Sequence, residues 1–406
     1  MSNQYKNNHY VPQWYQRHFL PHNQENKELF YLNLKPKIAV DSDGISHILN
    51  PIHKTGFKYC FAEEDLYTTR FGKEESTKIE QMFFGKIDSN GKKAVDYFIN
   101  FKHPSINQKA FNDLITYMSV QKLRTPKGLE WLSRQSGSSN QNEILNIMIY
   151  LKSLYCAIWT ECVWLIADAS QSETKFIVSD HPVTVYNRKC NPNSKYCSES
   201  NDPDISLNAT QTIFPLSLDK VLILTNLSWV RNPYQSELKL RPNPIKLRPA
   251  MFKILDIQTL RLLKEAEVKE INFIIKKRAY SYIGAAKKEW LFPEEDVSTS
   301  NWNNFGNGYL LMPDPRSLDY SGEIMWGNDN GIVGSIDAYG RPAGHPDFNK
   351  EIDTKEEFQT FYKFKGEFAH LYGPYRRGRA FRIGQLDPEK ETEEQYKYHL
   401  SLYKSK

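Results

Sequence analysis

Hydrophobic positions change their period several times along the chain, and each change marks an element. Residues 29–34 (LFYLNL) form a short apolar and aromatic run with the composition of a strand. This strand is expected to pair with 39–40 or 46–49 across the Asp41-Ser42-Asp43-Gly44 turn. From 73 to 101 the spacing becomes helical, through Ile79, Phe83, Ile87, Ala94, Val95 and Phe98, with Asn90-Gly91 expected to divide it. Between 107 and 124, Phe111, Leu114, Ile115 and Met118 stand at i, i+3, i+4 and i+7, and Pro126 stops that helix at Arg124-Thr125. Beside this stripe runs a polar line of Asp113, Tyr117, Gln121 and Arg124. After a polar break at 134–141, a long helix is expected with Ile144, Ile147, Met148, Leu151, Leu154, Tyr155 and Ile158 on its core face.

The pattern then turns to β. Segments 162–167 and 175–179 flank a polar turn at 170–173 and predict a hairpin, and after a long polar loop 210–215 and 220–225 predict two more strands. Helical spacing returns over 265–282 through Val268, Ile271, Ile275 and Ala279. Residues 298–308 (STSNWNNFGNG) have the composition of a linker, and no clear long helix follows until the tail. This succession predicts an α+β fold, a helical layer packed on a mostly antiparallel sheet. The expected domains are 1–297 and an irregular Gly-, Pro- and aromatic-rich C-terminal extension, 298–406.

Composition narrows the class. Aromatic residues are 13% of the 406, enough large burial area for a globular chain. A net charge of +5 is too small at this length to imply a polyanion partner, so any nucleic-acid surface is a local patch. The sequence contains no apolar run of membrane-spanning length and no signal-peptide core, so a cytoplasmic protein without a membrane partner is expected. Five cysteines, an odd number, agree with a reducing compartment. Cys190 and Cys197, near His181, invite a zinc reading but lack the usual spacing and a fourth ligand.

The densest polar and aromatic cluster is His9-Tyr10-Val11-Pro12-Gln13-Trp14-Tyr15-Gln16-Arg17-His18-Phe19. An imidazole that titrates near neutrality and an arginine fork on one short segment suit a general acid or base beside a phosphate-binding cation. The competing reading is packing: Val11-Pro12 sets an extended entry, and Tyr10, Trp14, Tyr15 and Phe19 plug it into the core. This segment resembles the HYVPQxYLRxF signature of bacterial domain-of-unknown-function family 4238. The resemblance continues through Tyr67, the Glu80 region, Arg124-Thr125-Pro126, Ser179-Asp180-His181-Pro182, Phe214-Pro215-Leu216 and Ile271-Asn272, as far as about residue 285. It implies a family and names no reaction.

Further candidates lie along the chain. Asp180 leaves a strand end on a tight turn, a common position for a metal ligand or base, and Ser179, Asp180 and Pro182 equally suit a purely structural turn. Arg124 at a helix C-terminus could cap the helix, pair with a buried Glu80, or join a site with Gln121. Between 363 and 382 six basic residues stand against one acid, with Tyr375, Arg376, Arg377, Arg379 and Arg382 interleaved for phosphate contact and base stacking. Phosphate-loop, zinc-helix, nucleophile-elbow and dinucleotide glycine motifs are absent, and Glu173-Thr174-Lys175 has a nuclease-like E-x-K form without a convincing partner acid.

The leading expectation is a cytosolic phosphodiester-acting, nuclease-like effector, by analogy with defence or toxin families. His9, Arg17 and Asp180 would be catalytic, with Asp180 holding Mg²⁺ or Mn²⁺. Tyr10, Gln13, Gln121, Arg124 and His181 would bind ligand, and the Arg/Tyr segment would hold nucleic acid. The alternative is a non-catalytic module for a small anionic ligand or a partner protein.

Overall fold

The computed structural model describes residues 7–21, 24, 27–40, 44–71, 74–101, 107–197, 202–235, 237–241, 246, 257–308, 311–318, 324–328, 331–337, 341–348, 354–375, 380–382, 385–387 and 391–404. Its centre is a five-stranded sheet in the order Thr184–Asn187, Thr210–Pro215, Lys220–Asn226, Cys162–Asp168, Ile257–Leu262. All pairs are antiparallel except the last, which is parallel. Cys162–Asp168 is a continuous apolar run because both of its faces are covered. Trp164 points to one face and meets Phe98 at 5.6 Å and Phe111 at 4.8 Å. Val163, one residue earlier, belongs to a separate cluster with Trp229, Val230, Met312, Phe361, Phe364 and Phe368, as strand alternation requires.

A second, four-stranded antiparallel sheet runs Val178–Ser179, Tyr282–Ala285, Glu28–Asn33, Ile52–Gly56. It corrects two expected pairings. The 29–34 strand takes Ile52–Gly56 and Tyr282–Ala285 as neighbours, while Ile38–Val40 and Ser46–Ile48 pair with each other. Segment 175–179 does not fold back on 162–167, whose antiparallel partner is Lys220–Asn226. Instead the chain crosses to the second sheet. On the way, the Asn272 side chain accepts from Ile177 N at 3.2 Å and donates to Lys175 O at 2.9 Å, replacing a strand neighbour.

The helical layer comprises α1 (Gly85–Ile99), α2 (Gln108–Arg124), α3 (Pro126–Ser136), α4 (Gln141–Tyr150) and α5 (Glu265–Arg278). Asn90-Gly91 does not divide α1. A Cβ at Gly91 would lie 2.5 Å from Tyr117 Cδ2, so this glycine permits α1 to approach α2 closely. The helix expected to run through residue 158 breaks after α4 and resumes as the short Cys156–Thr160 helix.

The region beyond residue 298 adds short turns and hairpins, and two helices, α6 (Thr354–Tyr372) and α7 (Glu393–Lys404). α6 covers the Val163 face of the central sheet through Phe361, Phe364 and Phe368. The linker-like 298–308 segment is not solvent-borne throughout. Trp302 and Phe305 are buried, and Trp302 stacks on Tyr186 at 5.2 Å. The fold is α+β with mostly antiparallel sheets. Among the described residues no helix is long and apolar enough to cross a membrane.

Candidate functional site

The junction between α2 and α3 sets the site. Thr125 has an extended backbone, ends α2 and caps α3, its hydroxyl accepting from Gly128 N at 3.2 Å, and Pro126 occupies the first position of α3. A Cβ at Gly128 would clash with the carbonyl oxygen of Lys122, so only glycine lets α3 fold back this tightly. The fold-back sets Lys122, in the last turn of α2, beside Lys127, in the first turn of α3.

Both lysines converge on Asp202. Lys122 Nζ is 2.9 Å from Oδ2 and Lys127 Nζ is 2.7 Å from Oδ1, and all three side chains are less than a tenth exposed. Burial works against the Asp202 carboxylate, but the two ammonium groups and His181 hold it well below the usual range. Lys127 also donates to Arg278 O at 2.7 Å, and burial lowers its pKa. Lys122 Nζ lies 3.1 Å from His181 Nε2, and Thr125 Oγ1 lies 2.7 Å from His181 Nδ1. Burial and the adjacent lysines push the His181 pKa down to about 3. The ring is therefore neutral, with Nε2 accepting from Lys122 and the hydrogen on Nδ1 directed at Thr125.

These groups border a cavity of about 350 Å³, also lined by Trp131, Tyr155, Tyr196, Asp204 and Lys246. Behind it, the fully buried Arg278 guanidinium reaches Cys190 O and lies 3.3 Å from Cys197 Sγ. Two buried ammonium groups, Lys122 and Lys127, thus share one buried carboxylate at the cavity wall. The excess is positive, and it faces a void.

The residues singled out in the opening segment do not meet there. His9 ends the Asn7–His9 strand with Nε2 at 3.1 Å from Phe57 O and 3.2 Å from Lys58 O. Gln13 Nε2 is 3.2 Å from the same nitrogen, and burial lowers the His9 pKa. Tyr10 is buried against Phe61, and its carbonyl accepts from Gln121 at 2.8 Å. Arg17 is exposed on a 3-10 turn, while Tyr15 and Phe19 on either side of it are buried.

Arg124 and Gln121 form a closed network under this segment. Arg124, 1% exposed, donates through Nε to Gln121 Oε1 at 2.8 Å and pairs with Asp88 at 2.8 Å. Tyr67 donates to Arg124 O at 2.8 Å, and Asn8 joins Glu80 to Tyr67 N. The arginine's ion-pair partner is Asp88, in place of the expected Glu80.

Asp180 carries neither a metal-ligand nor a catalytic geometry. Its carboxylate accepts from the backbone N–H groups of Tyr280, Ser281 and Tyr282 at 2.8, 2.6 and 2.8 Å. It clamps the α5-to-strand loop, and burial raises its pKa against those three donors. Among the described residues no group of three or more His, Cys, Asp or Glu is arranged for a metal ion. Cys190 and Cys197 are buried free thiols beside Arg278, a cation unsuited to a zinc site. Lys175 of the E-x-K triplet pairs with Asp219 at 2.7 Å. Arg376, Arg377 and Arg379 lie outside the described residues, as does the Arg382 side chain. Tyr375 is half-buried with Arg316 over its ring at 5.6 Å.

Of the expected ligand-binding residues, His181 alone reaches the cavity, and Lys122, Lys127, Asp202, Trp131 and Tyr196 were missed. Only Lys122 left a trace: a charged residue between Met118 and Leu123 in the most apolar part of α2.

Compared with known families, residues 7–289 match a family described as protein of unknown function (DUF4238). No curated protein and no solved structure matches the chain.

Proposed function

The chain belongs to the DUF4238 family, and from that premise we propose that it binds a small anionic ligand in the cavity bordered by α2, α3, Tyr196 and residues 202–205. The observation that carries this reading is the pair of buried ammonium groups, Lys122 and Lys127, that share the single carboxylate of Asp202 beside about 350 Å³ of open space. Burying a cation without full compensation costs several kcal/mol, and an anion entering the cavity recovers part of that cost. Lys122 and Lys127 would donate to the ligand, and Asp202 would hold both ammonium groups in place between binding events. Neutral His181 fixes Lys122 without adding charge.

The phosphodiester-cleaving reading has less support from the described geometry. His9 Nε2 is engaged with main-chain carbonyls and the Asp180 carboxylate with three main-chain amides, so neither group is turned toward the cavity.

The test is thermal unfolding of the purified protein with phosphate, pyrophosphate and citrate, against sodium chloride of equal ionic strength, with labelled RNA and DNA incubated in parallel. Saturation at about 100 times Kd stabilises by about 2.7 kcal/mol, an upward shift in Tm that Lys122→Ala and Lys127→Ala should each cut by about half or more. No stabilisation by any anion defeats the reading. Cleavage of RNA or DNA that disappears in His9→Ala would replace it with the phosphodiesterase.

A further inference from the structure

The cavity offers more than charge. Trp131 comes from α3 and Tyr196 from the Lys195–Cys197 turn, and both rings line it. Neither packs against another aromatic ring among the described residues, although Trp131 is half-buried and Tyr196 is 42% exposed. Trp131 packs in part on the core and Tyr196 has the Lys195 ammonium 5.2 Å from its ring centroid, yet both rings border the cavity without an aromatic partner, in a protein whose other aromatic side chains are mostly paired, as Tyr155 is with Trp159 at 5.5 Å.

Tyr155 adds a second, independent sign. It is 6% exposed and lines the cavity, and its phenolic hydroxyl has no hydrogen-bond partner among the described residues. An unpaired hydroxyl at a cavity wall can donate to a ligand there or accept from it. Asp204 also borders the cavity, half-exposed, with Lys246 3.5 Å from its Oδ1. Aromatic faces, ammonium groups and oxygen acceptors thus share one enclosure.

We propose that the ligand is a nucleoside monophosphate, with its base against Trp131 and Tyr196, its phosphate on Lys122 and Lys127, and its sugar hydroxyls at Tyr155 and Asp204. This rests on the small-anion reading above and adds the chemical class. Bases stack on aromatic side chains through their π-faces, and lysine ammonium groups meet phosphate oxygens as point charges. The volume, about 350 Å³, lies at the small end of ligand sites and suits one nucleotide better than a dinucleotide. An ordinary sugar phosphate would satisfy the lysines and leave both rings bare. A nucleoside would cover the rings and leave the positive charge uncompensated.

The experiment is isothermal titration calorimetry of the full chain with AMP, GMP, CMP, UMP, ribose 5-phosphate, inorganic phosphate and adenosine. At least one of the four nucleotides should bind about 10-fold or more tighter than ribose 5-phosphate, the increment expected of base stacking. Tyr196→Ala, at an exposed position that does not threaten folding, should remove that increment and leave ribose 5-phosphate affinity unchanged. Trp131→Ala should do the same if its melting curve shows it folded. Lys127→Ala should weaken nucleotide, sugar phosphate and phosphate together. Equal affinity for ribose 5-phosphate and all four nucleotides would overturn the nucleotide class while leaving an anion site. Binding of adenosine without phosphate would overturn the anion reading, and no binding by any of these probes would overturn both.

Discussion

The C-terminal half of α2 faces two polar interiors that solve the same problem in opposite ways. Gln121 and Arg124 turn toward the opening segment, where Asp88, Tyr67 and Tyr10 O are already in place around them. Lys122, on the same turn of helix, faces the cavity, where Asp202 is shared with Lys127 and space remains. In the first environment Arg124 has a carboxylate of its own in Asp88, and in the second two ammonium groups share one carboxylate. A network of the first kind holds the fold together, and one of the second kind has capacity left for a ligand. On the proposed reading, the difference separates positions that are polar because the fold needs them from positions that are polar to receive a ligand.

The sharpest way to break this contrast is to remove Arg124. Arg124→Ala removes a fully buried cation, leaves the half-buried Asp88 and the buried Gln121 without it, and should cost about 3–5 kcal/mol in urea denaturation. A loss under about 1 kcal/mol would mean that the network is not structural. Asp180→Ala should follow at about 2–4 kcal/mol, because three backbone donors lose their acceptor together. If Asp180 instead served an active centre, activity would fall with stability unchanged.

On the open side, Lys127→Ala should lower anion affinity by about tenfold or more, roughly 1.4 kcal/mol, with a smaller change in melting, since Lys122 still pairs Asp202. A stability loss comparable to that of Arg124→Ala would show that the cavity lysines hold the fold together as well.

The mildest test is pH. His181 has a folded pKa of about 3 against an ordinary value of 6.5, so between those values the unfolded chain binds the proton that the folded one refuses. Its contribution to stability is fully present above about pH 6.5 and declines as pH falls, by up to roughly 1.4 kcal/mol per pH unit for one proton. His181→Asn should flatten the stability profile between about pH 6 and 4 by close to one proton. An unchanged slope would mean that burial and the adjacent lysines do not hold the imidazole neutral.

Much of the scaffold was legible along the chain. The 3.6-residue stripe of Phe111, Leu114, Ile115 and Met118 and the stop at Thr125-Pro126 located α2 to within a residue, and the paired runs at 210 and 220 located their hairpin. α6 was not recognised, although it spans 19 residues. Phe361, Phe364 and Phe368 occupy its buried face in a segment also carrying many charges, and they needed the Val163 face of a distant strand to give them a partner. Strand partners failed for the same reason: a period of two says that a strand exists and which residues share a face, without saying which other strand completes it.

The sequence by itself determined the α+β class and the family, because periodicity, capping and an ordered motif are written in neighbouring residues. Only the tertiary structure decided what the polar residues do. Asp180 looked like a metal ligand and holds a loop through three amides, while Asp202, unremarkable in a polar stretch, meets Lys122 across 80 positions of chain. No local pattern encodes such a meeting. The electrostatics of a site come from which charges share a low-dielectric enclosure, and that is settled when α3 folds back at Gly128 and the 202–205 segment closes against it.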